Sequence, residues 1–324
     1  MYTIGVDLGG TNIAAGIVNE KMELVVKGSV PTLPARGGDA IMADMAALCL
    51  RLAEEAGIPF AEIESVGIAS PGTILYEEGM VERSDNLNFY RFPIRDKLRA
   101  LLPGMTVYLE NDANAAAWAE AMCGAARGTH NSVMITLGTG LGGGIVINDR
   151  IYTGHNGAAA ELGHVLLRHG GRLCNCGRRG CFEAYCSATG LIASTKEMME
   201  ECRRLKRTTL MSEEAERFGK VNARVPFNAA KRGDPYALRV VAEYKDMLAA
   251  GIVDLINTFQ PEVISIGGGI CNEGDYLLSP DFLKQIEEEQ FTRDSDRKPR
   301  VVIAQLGNDA GIIGAAMLGK NPNA

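Results

Sequence analysis

The chain has 324 residues, of which 46% are hydrophobic and 23% charged, and a formal net charge of −7. That length supports two domains and a substantial core. The negative balance argues against a surface built for nucleic acid or anionic membrane, although Arg178 and Arg179 could form a local basic patch. No apolar run is long enough to span a bilayer, and the first seven residues lack a signal-peptide core, so the expectation is a cytoplasmic protein. The cysteines fit a reducing compartment: four lie between 174 and 186, and the scattered Cys49, Cys123, Cys202 and Cys271 read as small buried hydrophobes.

Residues 2–7, 13–18 and 24–31 are rich in β-formers and read as a meander, with a turn at Gly9-Gly10-Thr11-Asn12. Asp39 is expected to cap a helix running to about residue 56, stopped by Gly57. Residues 65–69 form an apolar strand ended by Ser70-Pro71-Gly72. Residues 105–109 form another, followed by Glu110-Asn111-Asp112 and an alanine-rich helix. The pattern then restarts: a strand at 132–137, a glycine-rich turn at 138–144 and a strand at 145–148. A small insertion holds the cysteine loop. Asp234 and Pro235 open a long helix whose buried face is expected to carry Leu238, Val241, Tyr244, Leu248, Ile252, Leu255 and Phe259. Strands at 262–266 and 300–304 and a helix at 310–318 close the chain. Two βββ-αβ units, each opening on a glycine turn, give the plan of an α/β protein with the actin-like ATPase, ribonuclease-H-like fold. The expected domains are residues 1–118 with 305–324, and residues 119–304, with an interdomain cleft and the cysteine loop in the second.

The segment from Glu161 to Glu183 is the most informative. Cys174 and Cys176 are too close for an unstrained disulfide. With Cys181 and His164 they make a Cys₃His set able to close a tetrahedron around a structural zinc ion. The alternative is a group of reduced thiols on a loop. Glu161 and Glu183 bracket the set and are candidates for gripping something polar beside it.

Gly138-Thr139-Gly140-Leu141-Gly142-Gly143 matches the dinucleotide spacing G-x-G-x-x-G, but a strand rather than a helix follows, so that reading is rejected. A glycine hairpin between strands can instead turn backbone N–H groups toward phosphate oxygens. Thr136 and Thr139 would add hydroxyls. The hairpin at Gly9 and Gly10 is a second such device, and Gly267-Gly268-Gly269 a third glycine turn after a strand. Ordinary tight hairpins are the alternative; two at matching places in duplicated halves favour a nucleotide cleft. Asp7, at a strand end, is placed to hold Mg²⁺ through water. Asn111 and Asp112 could simply cap a helix. Glu-Asn-Asp supplies more polar groups than a cap needs, and a kinase of this design requires a carboxylate base, for which Asp112 is the candidate.

Asp7-Leu-Gly-Gly-Thr-Asn12, Glu110-Asn-Asp112, Gly138-Thr-Gly-Leu-Gly-Gly-Gly144, Glu161-Leu-Gly-His164 and Cys174-x-Cys176-Gly-x-x-Gly-Cys181-x-Glu183 occur in this order across nearly the whole chain. In them the sequence resembles the ROK family of repressors and sugar kinases, and its bacterial glucokinase branch most. The resemblance implies ATP-dependent phosphorylation of a hexose, glucose first, at its 6-hydroxyl. It implies Asp112 as base, Asn111, Glu161, His164 and Glu183 on sugar hydroxyls, and His164 touching sugar with one ring nitrogen and zinc with the other. Gly72 and Asn86 match further sugar positions. Thr11 and Thr139 match phosphate-loop positions, and Gly268 a nucleotide-side one. Residue 12, often lysine in the family, is Asn12 here and is given no catalytic charge. Family repressors carry a helix-turn-helix ahead of the first hairpin; with the hairpin starting at Asp7, no DNA-binding role is expected. Homodimers or homotetramers are common in the family. Other acceptors remain open (N-acetylmannosamine, N-acetylglucosamine, allose or fructose), as does a non-enzymatic sugar-binding regulator.

Overall fold

The computed structural model describes residues 1–322. Strands β1 (Tyr2–Leu8), β2 (Asn12–Asn19) and β3 (Leu24–Pro31) form the expected antiparallel meander. β3 alternates half-buried and exposed residues, as an edge strand does, whereas β1 and β2 are buried over most of their length. Helix α1 (Gly38–Glu55) buries Ile41, Met42, Met45, Leu48, Cys49 and Leu52. Its cap is Gly37, not Asp39, because the chain enters at φ 87°, which glycine adopts without strain. Asp39 lies in the first turn instead and pairs with Lys97 at 2.5 Å.

Strand β4 (Ile63–Ser70) is followed by a small antiparallel sheet of β5 (Thr73–Leu75), β6 (Met80–Ser84) and β7 (Phe89–Phe92). The sequence did not announce these strands. Then come α2 (Ile94–Leu101), β8 (Thr106–Asn111) and α3 (Asp112–Cys123). β4 runs parallel to both β1 and β8, giving a sheet in the order β3-β2-β1-β4-β8. Strands β9 (Ser132–Leu137), β10 (Leu141–Ile147) and β11 (Arg150–Ile151) begin the second round. It continues with α4 (Glu183–Cys186), α5 (Ala188–Arg204), α6 (Leu210–Arg217), α7 (Arg224–Lys231) and α8 (Pro235–Phe259). Strand β12 (Val263–Gly267), α9 (Pro280–Glu289), β13 (Arg300–Ile303) and α10 (Ala310–Ala316) complete it. The second sheet, β11-β10-β9-β12-β13, repeats the first position by position, which is the duplicated actin-like plan.

Two compact units result: Met1–Met134 with Gly144–Ala160 and Ala304–Ala324, and Ile135–Gly143 with Glu161–Ile303. In the first, α10 lies on β1 and β4 at backbone contact. Gly5 and Gly67 are register partners, and a Cβ on either would stand 1.8 Å from a carbonyl oxygen of α10, that of Ile312 or Ala315. The small residues of α3 and α10 therefore serve close approach as well as helix propensity: a Cβ on Gly314 would stand 1.8 Å from the Ala115 carbonyl oxygen. In the second unit Asp234 caps α8 through the amides of Tyr236 and Ala237, with Pro235 in the first turn as expected. The buried stripe of α8 runs through Ala237, Val241, Tyr244, Leu248, Ile252 and Leu255. Leu238, expected on it, is 45% exposed, one residue off the stripe, and Phe259 is only partly buried. Among the described residues no helix is long and apolar enough to cross a membrane.

Candidate active site

In the first unit, parallel pairing sets Asp7 opposite Ala69 and Ala69 opposite Glu110; the next row pairs Ser70 with Asn111. Open α/β sheets gather ligands at the carboxyl ends of such strands. Asn111 caps α3, its Oδ1 accepting from the amides of Ala113 at 2.9 Å and Asn114 at 3.2 Å. Its Nδ2 donates to the Gly72 carbonyl at 3.2 Å. Gly72 has φ 104°, and any Cβ there would stand 2.1 Å from the Arg83 carbonyl oxygen.

Glu110 is buried, and its Oε1 accepts from the Tyr76 hydroxyl, the Asn111 amide and the Asn114 side chain. Burial pushes its carboxyl up, and these donors pull it back. Its Oε1 is engaged in holding the turn. The sequence reading missed Tyr76 and Asn114, for which no local signal existed.

Asp112 is the first residue of α3, beside the cap. Among the described residues only amides at the helix start, its own and that of Ala113, meet its carboxylate. Burial pushes its carboxyl above the usual range, against the pull of those amides. Asp7 is pushed up to about 6, first by burial and then by the charge of Asp112. It lies against α10, where a Cβ on Gly311 would stand 2.6 Å from Asp7 Oδ2. Next to it the hairpin closes through Gly9 N–H on Asn12 O at 2.9 Å. Fully buried Thr32 supports the turn: its hydroxyl donates to Gly9 O at 2.6 Å and its amide to Thr11 O at 2.9 Å. Gly10 packs on Asn86, and a Cβ at position 10 would stand 3.2 Å from that of Asn86. Asn12 is exposed at the head of β2.

In the second unit the hairpin between β9 and β10 closes with Gly138 N–H on Gly140 O at 3.0 Å. Thr136, near the end of β9, is half-buried. Gly268, φ 90°, abuts Leu137, whose backbone a Cβ would approach to 2.5 Å. Glu183 reaches this hairpin: its Oε2 accepts from the Leu141 amide at 2.9 Å, while its Oε1 is 3.5 Å from Cys174 Sγ.

His164, Cys174, Cys176 and Cys181 come together, their four ligand atoms all within 4.8 Å of one another. Cys176 and Cys181 sulfurs are 3.6 Å apart, and Cys174 Sγ is 3.7 Å from His164 Nδ1. Zinc–sulfur bonds of about 2.3 Å at tetrahedral angles require roughly 3.8 Å between sulfurs, so the set fits a closed zinc site. The loop has little regular structure. It is held by isolated bridges, Leu166 to Cys181 and Leu173 to Arg179, and by Gly180, which at φ 87° lies where a Cβ would strike the Arg168 carbonyl. Phe182, fully buried, anchors its end against Gly251 of α8. Arg172, not singled out from sequence, ties the loop to α4 through the Ala184 carbonyl and to α5 through the Gly190 carbonyl and Glu197. With Nδ1 facing the thiols, His164 Nε2 points the other way and lies 3.9 Å from Glu161 Oε2.

Comparison with known proteins places these residues in a family. The sequence profile described as "ROK family" matches residues 3–321. A glucokinase of Thermotoga maritima is 37% identical over 316 residues, 97% of this chain and 96% of its own. An N-acetylmannosamine kinase of Salmonella typhimurium is 30% identical over 321 residues, 98% of each chain. The crystal structure of a ROK family glucokinase from Streptomyces griseus, in complex with glucose and AMPPNP, superposes with a TM-score of 0.79 at 34% identity, covering 98% of this chain and 99% of that one.

Proposed function

Since the chain belongs to the ROK family, we propose that it is an ATP-dependent glucokinase, transferring the γ-phosphoryl group of ATP to the 6-hydroxyl of glucose. The observation that carries this reading is the division of labour at the head of α3. Asn111 supplies the cap and Glu110 the internal anchor, which leaves Asp112 as a carboxylate with no structural partner beyond local amides. Its raised proton affinity suits a general base, which removes the 6-hydroxyl proton as the phosphoryl group transfers.

Glu161, His164 and Glu183 hold sugar hydroxyls, as do Asn111 through its remaining Nδ2 donor, Gly72 and Asn86. Each unpaired buried polar group costs about 1–3 kcal/mol, so a rigid set of acceptors discriminates among sugars. His164 presents Nε2 to the sugar while Nδ1 faces the thiols. His164, Cys174, Cys176 and Cys181 would hold zinc, which supplies rigidity and no chemistry of its own. Gly9, Gly10, Thr11 and Asn12 of one hairpin, and Thr136, Gly138, Thr139 and Gly140 of the other, serve the nucleotide with Gly268. Asp7 would hold Mg²⁺ through water, and that ion would neutralise charge on the β- and γ-phosphates. A reducing, cytoplasmic setting suits the free cysteines, and the family resemblance supports a homodimer or homotetramer.

N-acetylmannosamine is the second acceptor to weigh, because a kinase for it is 30% identical over nearly the whole chain. A coupled ADP-release assay over glucose, N-acetylmannosamine, N-acetylglucosamine, allose and fructose decides. The expected result is the highest kcat/KM with glucose. A higher value with another hexose replaces the acceptor, and sugar binding without ADP release with any of them overturns the kinase reading in favour of a sugar-binding regulator.

A further inference from the structure

The hairpin of the second unit is gripped from one side by the start of α5. Gly138 O accepts from the Ala188 amide at 2.8 Å, and Thr139 O accepts from the Thr189 hydroxyl at 2.7 Å. No cis peptide bond occurs among the described residues. In a trans peptide the carbonyl and the following N–H point in opposite directions. Two carbonyls turned toward α5 therefore turn the N–H groups of Thr139 and Gly140 away from it, side by side. Successive amides facing one way are the elements of an anion-binding concavity.

The gripping residues are themselves fixed. Ser187, buried, caps α5 by accepting from the Gly190 amide at 3.0 Å, and the Tyr244 hydroxyl donates to Cys186 O at 2.9 Å. Glu183 adds a third hold on the same hairpin through the Leu141 amide. Thr189, by contrast, is exposed, so its side chain is not needed to fill a core. What its hydroxyl does is fix one peptide plane.

We propose that Thr189 is a positioning residue for the phosphoryl donor: by holding the Thr139 carbonyl, it aims the Gly140 amide at a phosphate oxygen of the nucleotide. The role rests on the kinase reading above only for its consequence in turnover; its consequence for nucleotide affinity can be measured without sugar. Thr189→Val keeps the shape and removes the donor, and Thr189→Ser keeps the donor. Calorimetric titration of each full-length protein with a non-hydrolysable ATP analogue and Mg²⁺ is the test. Thr189→Val is expected to bind about three- to tenfold more weakly, the loss of one hydrogen bond, with Thr189→Ser restoring wild-type affinity. The KM for ATP should rise in parallel while the KM for glucose and the melting temperature stay unchanged. Wild-type affinity in Thr189→Val, or failure of Thr189→Ser to restore it, overturns the proposal, as does a wild-type protein that binds no analogue. If the affinity split appears but no hexose elicits ADP release from the wild type, the positioning role stands and the kinase reading falls.

Discussion

At the strand ends of the first unit, Asp7 and Glu110 are placed by sheet register and Asp112 by the helix that starts there; in the second unit, His164, Cys174, Cys176 and Cys181 are placed by a loop with almost no regular structure. The edge inherits its geometry from backbone hydrogen bonds shared by β1, β4 and β8, and from α10 lying against glycines. A single side-chain change at Asp7 or Asp112 is expected to leave that backbone scaffold standing. The loop has two isolated bridges, glycine turns and one buried anchor, Phe182. Its geometry depends on a small number of side chains meeting at one point, so it should fail as a unit. Both arrangements hold carboxylates in place, and if the second holds the proposed zinc it should come apart when that ion is removed.

The largest break expected is Cys176→Ala. Losing one of four ligands should abolish stoichiometric zinc and, with it, measurable glucose binding, because Glu183 and His164 lose their fixed support. Metal analysis paired with glucose titration checks this; zinc-free protein that still binds glucose would show the loop to be held by its backbone alone. Asp112→Asn should lower kcat by about 10²–10⁴-fold while glucose affinity stays within roughly tenfold, since the amide keeps the shape but takes no proton. Retained turnover would return Asp112 to the role of a helix-start residue. Glu183→Gln should instead raise the KM for glucose, by about 10- to 150-fold, the loss of a charge-assisted hydrogen bond of about 1.5–3 kcal/mol. If Glu183→Gln acts on kcat alone, the carboxylate does not hold sugar in the ground state.

A smaller effect tests the anchor. A Cβ on Gly251 would stand 2.3 Å from the Phe182 ring, so Gly251→Ala should lower stability by about 1–3 kcal/mol in chemical denaturation. The smallest concerns the strand edge and pH. Asp7 is raised from 3.8 to about 6, so the folded protein binds more protons than the unfolded chain between those values. This group's contribution to stability therefore falls as pH rises from 3.8 to about 6. Asp7→Asn should raise the melting temperature relative to wild type at neutral pH, and the gain should vanish near about pH 4. In Asp112→Asn, the Asp7 carboxyl should titrate below its present value, because one of its two causes is gone.

Much of this site was legible in the sequence because it is written locally. Cys174, Cys176 and Cys181 lie within one loop, and glycines between two β-rich runs mark a hairpin rather than a dinucleotide fold. The duplicated order of strands was legible for the same reason: each meander is contiguous. Other features carried no local signal. Gly37 took the cap from Asp39 because the chain leaves the turn at Pro34–Arg36 and enters α1 at a positive φ. Leu238 fell outside the buried stripe because Ala237 and Val241 set the face that meets the core.

The sequence by itself determined which residue types could bind metal, phosphate and sugar, and in what order they occur, since spacing along the chain limits which side chains can share one ion or one turn. Only the tertiary structure shows what surrounds each of three adjacent polar residues. Glu110, Asn111 and Asp112 are consecutive, and it is the bonds of Glu110 to Tyr76 and Asn114, that of Asn111 to the Gly72 carbonyl, and the burial of Asp112 against helix-start amides that separate anchor, cap and candidate base. Thr189 had no signature at all, because a hydroxyl that orients a peptide 50 residues away becomes visible only when the fold brings the two together.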